Sequence, residues 1–177
     1  ISLNKDIDKG TIKISQKNKK LDLMGEGFKI SFNKKNGRLT EINYGNGNII
    51  LQGVKPNFWR APIDNDYGFS SPYRLKVWKQ ASKNQNFENI MIKNFKGDRV
   101  EIKTKYYMPD IKGYVEVIYN VNSNGKINVK TTLSEISKAL PMLPLFGTNF
   151  IINESYDNAK WYGRGPHENY QDRNTSS

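Results

Sequence analysis

The chain of 177 residues is 36% hydrophobic and 12% aromatic, enough for one good-sized packed domain and too apolar for wholesale disorder. Its net charge of +11 comes from 28 Lys and Arg against 17 Asp and Glu, yet 22 of the cations are dispersed Lys with no extended basic block, so no nucleic-acid partner is expected. Zero Cys and one His exclude disulfides, cysteine nucleophiles and His-rich zinc sites, and no run approaches the roughly 20 apolar residues of a spanning helix, so neither a metal site nor a membrane partner is expected.

Taken in chain order, residues 1–26 read as a lead-in strand and connector, with an edge strand over 11–15 and a polar link over 17–20. Residues 1–20 are polar and mixed in charge and do not read as a secretion signal. The main domain is expected over 27–177. Phe28, Ile30 and Phe32 alternate with polar residues, and Asn36-Gly37 follows as a hairpin signal of the type I′ kind, which needs positive φ at both residues. Gly45-Asn46-Gly47-Asn48 marks a further turn. One short helix is expected after Ser71, with Pro72 in its first turn and Leu75, Trp78 and Ala81 on one face.

Beyond a turn at Gly97-Asp98 the rhythm of two is unbroken. Val100, Ile102, Thr104 and Tyr106 form one apolar series, Val115, Val117, Tyr119 and Val121 a second, and Ile127, Val129, Thr131 and Leu133 a third. Asn124-Gly125 separates the last two. Pro141 and Pro144 bend the chain before a final strand region. Strands at this spacing with no helices between them predict an all-β antiparallel sandwich.

Polar and aromatic residues are densest in two segments. One is Phe58-Trp59-Arg60-Ala61-Pro62-Ile63-Asp64-Asn65-Asp66-Tyr67-Gly68, and the other is Trp161-Tyr162-Gly163-Arg164-Gly165-Pro166-His167-Glu168-Asn169-Tyr170-Gln171-Asp172-Arg173. Each joins a flat aromatic, an Arg fork, carboxylates and turn residues, the mixture a sugar site uses: rings stack on the C–H face of a pyranose while carboxylates and amides take its hydroxyls. The structural alternative is that Arg60 forms a buried pair with Asp64 or Asp66 and holds a long loop, that Trp59 is core, and that Asp172 and Arg173 fasten a tight Gly-Pro turn. Asp64 and Asp66 on an extended strand would point the same way, but nothing marks one as a raised-pKa acid and the other as a nucleophile. His167 has no clear partner and reads as a loop residue.

The first of these segments resembles the "RAP-x-DND-x-G" signature of the last domain of large bacterial β-galactosidases of glycoside hydrolase family 2. The second resembles that domain's "G-x-GP-x-ENY-x-DR" signature. The similarity extends over about residues 20–177, with motif order and spacing in agreement. It implies a truncated form of the galactose mutarotase-like supersandwich carrying one short helix. It also implies that the catalytic Glu pair, the Mg and Na ligands and most galactose contacts lie on a central barrel outside this chain, so no cofactor and no catalytic residue are expected within it. The Trp that the family's last domain contributes to the active site follows the second signature, and its role does not pass to Trp59, Trp78 or Trp161.

On this reading the motif residues Trp59, Arg60, Asp64, Asn65, Asp66, Trp161, Arg164, His167, Glu168, Asn169, Tyr170, Asp172 and Arg173 are structural or sugar-facing. The partners are then the rest of a β-galactosidase chain, galactosides bound weakly, and a second copy if an apolar face is left uncovered. Two other functions compete. An independent carbohydrate-binding module would use Trp59 or Trp161 as its platform, and a mutarotase-like aldose epimerase would use His167 with Glu168.

Overall fold

The computed structural model describes residues 10–163. The chain opens with a four-stranded antiparallel meander: β1 (Lys13–Lys17), β2 (Lys20–Gly25), β3 (Phe28–Asn33) and β4 (Leu39–Asn43). The first two strands are therefore continuous with the third in one sheet, and Leu21 and Leu23 of β2 are as buried as Ile30 and Phe32 of β3. Strand β5 (Ile50–Asn57) follows, then three short helices, α1 (Asp64–Gly68), α2 (Ser71–Arg74) and α3 (Lys76–Lys83). A second meander is built from β6 (Asn86–Phe95), β7 (Arg99–Met108), β8 (Gly113–Asn122) and β9 (Ile127–Ser134). The last strand, β10 (Gly147–Ile152), pairs antiparallel with β5 as a separate two-stranded ribbon.

The two meanders face each other, and the alternation seen in sequence is the cause. Val100, Ile102, Thr104 and Tyr106 of β7 and Val115, Val117, Tyr119 and Val121 of β8 are all buried, while the residues between them are half-exposed. A period of two places every second side chain on one face of a strand, so each apolar series meets the other sheet. Phe32 of the first sheet meets Tyr119 of the second edge to face, with ring centroids 5.0 Å apart. Burial pushes the Tyr119 phenol up, and the neighbouring Tyr106 adds to the shift. The third series behaves differently. Val129 is 43% exposed, because β9 is the outermost strand of its sheet and its apolar face is only partly covered.

Both Asn-Gly sites are hairpins, but not of the type I′ kind. Only the glycines take positive φ, 67° at Gly37 and 82° at Gly125. The Asn side chains instead accept backbone N–H groups two residues on: Asn36 Oδ1 from Arg38 at 3.1 Å, and Asn124 Oδ1 from Lys126 at 3.0 Å. Positive φ at two successive residues occurs at Lys96 and Gly97, in the turn from β6 to β7. The single expected helix is also corrected. Ser70, not Ser71, precedes α2, in a left-handed conformation (φ 55°), and Leu75 breaks the segment into α2 and α3. The expected face survives in α3, where Trp78 and Ala81 are buried and Leu75 packs against the core.

Candidate functional site

The first motif begins where β5 ends. Phe58 is fully buried, its ring against Trp78 (6.1 Å between centroids) and Phe146 (5.8 Å). Its backbone N–H donates to Ser82 Oγ at 2.8 Å, and the Ser82 hydroxyl donates to the Trp78 carbonyl at 2.8 Å, so helix α3 is tied to the motif. Trp78 Nε1 donates to the Pro141 carbonyl at 3.0 Å, which adds the segment between β9 and β10 to the same junction. Asn57 closes the turn on itself, its Nδ2 donating to the Trp59 carbonyl at 2.7 Å.

Next in the motif, Arg60 grips Asp66 with both guanidinium arms, Nη1 to Oδ2 at 2.7 Å and Nη2 to Oδ1 at 2.9 Å. Asp66 Oδ2 also accepts the Ile63 backbone N–H at 2.9 Å. That backbone donor first, and Arg60 second, hold the Asp66 carboxyl below the usual carboxylate range. The sequence-based pairing of Arg60 with an aspartate is therefore present, but it is not buried: the two side chains keep 33% and 19% exposure. The extended-strand expectation for Asp64 and Asp66 is overturned. Both lie in α1, where Asp66 turns back onto Arg60 while Asp64 and Asn65 face solvent. Among the described residues, Asp66 is thus bound into the loop by Arg60 while Asp64 has no ion-pair partner.

Trp59 is half-buried rather than core, and it points into a different feature. Lys79 Nζ stands 5.7 Å from its ring centroid, at the wall of a polar cleft of about 270 Å³. The cleft runs between β5, α3 and β10 and is lined by Gln52, Lys55, Pro56, Asn57, Trp59, Lys79, Ser82, Lys83 and Asn149. Burial, then Arg38, then Lys83 push the Lys55 ammonium below its ordinary range. Of the second motif, Trp161 is 84% exposed. Arg164, His167, Glu168, Asn169, Tyr170, Asp172 and Arg173 lie outside the described residues.

A family model described as "Beta galactosidase small chain" matches residues 24–177. The chain belongs to that family. Among curated relatives, the β-galactosidase of Priestia megaterium is 32% identical over 164 residues, covering 93% of this chain and 16% of that protein. That of Halalkalibacterium halodurans is 32% identical over 171 residues, covering 96% and 17%. That of Lactobacillus delbrueckii subsp. bulgaricus is 34% identical over 154 residues, covering 86% and 15%. The chain thus spans about a sixth of the length of these relatives.

Two features of this small-chain domain were not legible as sites in its sequence. One is the cationic cleft; only the four-residue spacing of Lys79 and Lys83, which puts them on one side of α3, could have signalled it. The other is an apolar groove of about 320 Å³ where β4, β5, β9 and β10 come together, lined by Ile42, Ile49, Val54, Ile127, Val129, Phe150 and others. Among the described strands, β9 pairs only with β8 and β10 only with β5, so one edge of each is unpaired beside this groove. Among the described residues of the domain, no cluster of three or more His, Asp or Glu could seat Mg or Na.

Proposed function

We propose that this chain is a non-catalytic sandwich portion of a β-galactosidase of glycoside hydrolase family 2, one that packs beside the catalytic part and shapes the mouth of its active site. The observation that carries this reading is the state of the first motif's carboxylates. Asp66 is committed to Arg60 and to the Ile63 N–H, where it fastens a loop, and Asp64 is exposed with no ion pair among the described residues. The reacting carboxylates and any Mg or Na ligands then belong to the remainder of the longer polypeptide. The open strand edges and the apolar groove support the same reading, since both are surfaces that further chain would cover. The mutarotase-like form of the sandwich remains part of this proposal.

An independent carbohydrate-binding module would need a bare aromatic face, which Trp161, 84% exposed, retains. One face of Trp59 is already approached by the Lys79 ammonium, and this weakens it as a stacking platform. The test is a galactose titration of the 177-residue chain followed by tryptophan fluorescence. No saturable change is expected. A millimolar-range response abolished by Trp59→Ala or Trp161→Ala would replace the architectural reading with the module.

A further inference from the structure

The cleft beside Trp59 has a charge problem that the motif does not explain. Lys55 comes from β5, while Lys79 and Lys83 are one turn apart on α3, and all three line the same concavity. Among the described residues, no carboxylate lies within ion-pair distance of any of them; the lysines with such a partner, Lys20, Lys29, Lys103 and Lys105, lie elsewhere. Arg38 adds a fourth cation behind Lys55. Its guanidinium stacks 4.2 Å from the Tyr106 ring and donates to Gln85 Oε1 at 2.9 Å, while its Nη1 is buried without a hydrogen-bond partner. Gln85 in turn donates to the Pro56 and Ser82 carbonyls, so the wall between Arg38 and the cleft is fixed.

Like charges that line one concavity repel one another, and the field there is positive. Lys55 is the half-buried member, with Lys79 and Lys83 exposed at the rim, so an anion seated in the concavity would face all three ammonium groups. The amides of Gln52 and Asn149 on the lining supply further N–H donors, and a volume of about 270 Å³ admits a small molecule and not a folded partner.

We propose that this cleft binds a free multivalent oxyanion of the phosphate type, held by Lys55, Lys79 and Lys83 beside Trp59. The site is independent of galactoside chemistry and goes beyond the architectural reading.

The experiment is a titration of the 177-residue chain with inorganic phosphate and with pyrophosphate, ionic strength held constant at about 0.15 M. Binding is read by tryptophan emission and by heat. Both anions should saturate, pyrophosphate more tightly. The double variant Lys55→Gln/Lys83→Gln should weaken binding by at least about tenfold. The charge-matched control Lys13→Gln/Lys130→Gln, on exposed positions of β1 and β9, should leave it unchanged. Trp59→Phe should abolish the emission change and keep the heat, which tests the location even if the double variant fails to fold. Absence of saturation at constant ionic strength would overturn the proposal. So would equal weakening in the control, or saturation by a glutamate-rich peptide that phosphate does not reproduce, which would assign the cleft to a protein carboxylate.

Discussion

The polar face of the first sheet offers a quantitative test through Glu41. Its Oε2 accepts from Lys29 Nζ at 3.0 Å, from Lys20 Nζ at 3.1 Å and from Ser31 Oγ at 2.9 Å. The single Ser31 hydroxyl proton is shared with Asp22 Oδ1, 2.6 Å away. Burial alone would raise the Glu41 pKa, but the hydrogen bonds from Lys29, Lys20 and Ser31 outweigh it and bring the carboxyl from 4.5 down to about 2. At about 1.4 kcal/mol per pKa unit this caps the contribution near 3 kcal/mol. The two lysines are 44% and 37% exposed, and solvent screening reduces the figure to about 1–2 kcal/mol. A carboxylate whose folded pKa is depressed stabilises the fold above its unfolded pKa. That stability is fully present above 4.5 and is lost as pH falls towards 2. Glu41→Gln should therefore cost about 1–2 kcal/mol in urea unfolding at neutral pH and almost nothing near pH 2. A cost below about 0.5 kcal/mol at neutral pH, or one that does not shrink on acidification, would refute the reasoning.

Three further predictions follow from the same structure. Trp78→Ala removes a buried indole and its donor to Pro141, and should cost about 3–5 kcal/mol in denaturant unfolding; a loss under about 1 kcal/mol would contradict the burial. Gly53→Ala would drive a methyl into the Leu39 carbonyl where β5 crosses β4, and should lower stability by about 2 kcal/mol or more, read as a drop in the thermal midpoint. Lys55 has a folded pKa depressed by burial, Arg38 and Lys83, so its charge destabilises the fold at neutral pH and the protein should gain stability as pH rises towards 10.5. Lys55→Gln should flatten that rise in urea midpoints measured across the alkaline range, and an unchanged slope would count against the cation cluster.

Much of the sandwich was readable because its physics is local to each strand. On β7 and β8 the residue at every second position had to be apolar to meet the facing sheet, so the sequence carries the burial pattern almost letter for letter. On β9 the same letters gave a weaker result, since exposure there depends on what lies beyond the strand's outer edge, and Val129 has no neighbour to say so. Turn positions were legible and turn types were not: an Asn before Gly can supply positive φ or an accepting side chain, and Asn36 and Asn124 do the second. Leu75 itself leaves helical geometry (φ −100°, ψ 5°) between α2 and α3, and a left-handed Ser70 precedes α2; propensity marks neither.

At the site, the pairing of Arg60 with an aspartate followed from composition. Its partner and exposure did not, because residues 64–66 wind into a helix that re-aims both carboxylates. The cationic cleft was hidden for a different reason. Lys55 stands on a strand and Lys79 and Lys83 on a helix, and only the packing of α3 against the end of β5, through Phe58 and Ser82, brings them to one place.

The account stands on chemistry being supplied by polypeptide other than this chain, and the direct measurement is hydrolysis of a nitrophenyl β-galactoside by the purified 177-residue protein. Release of nitrophenol no faster than in buffer, unchanged by Asp66→Asn, is the predicted result. Turnover above buffer that disappears in Asp64→Asn or Asp66→Asn would place the reacting carboxylates inside this domain and contradict it.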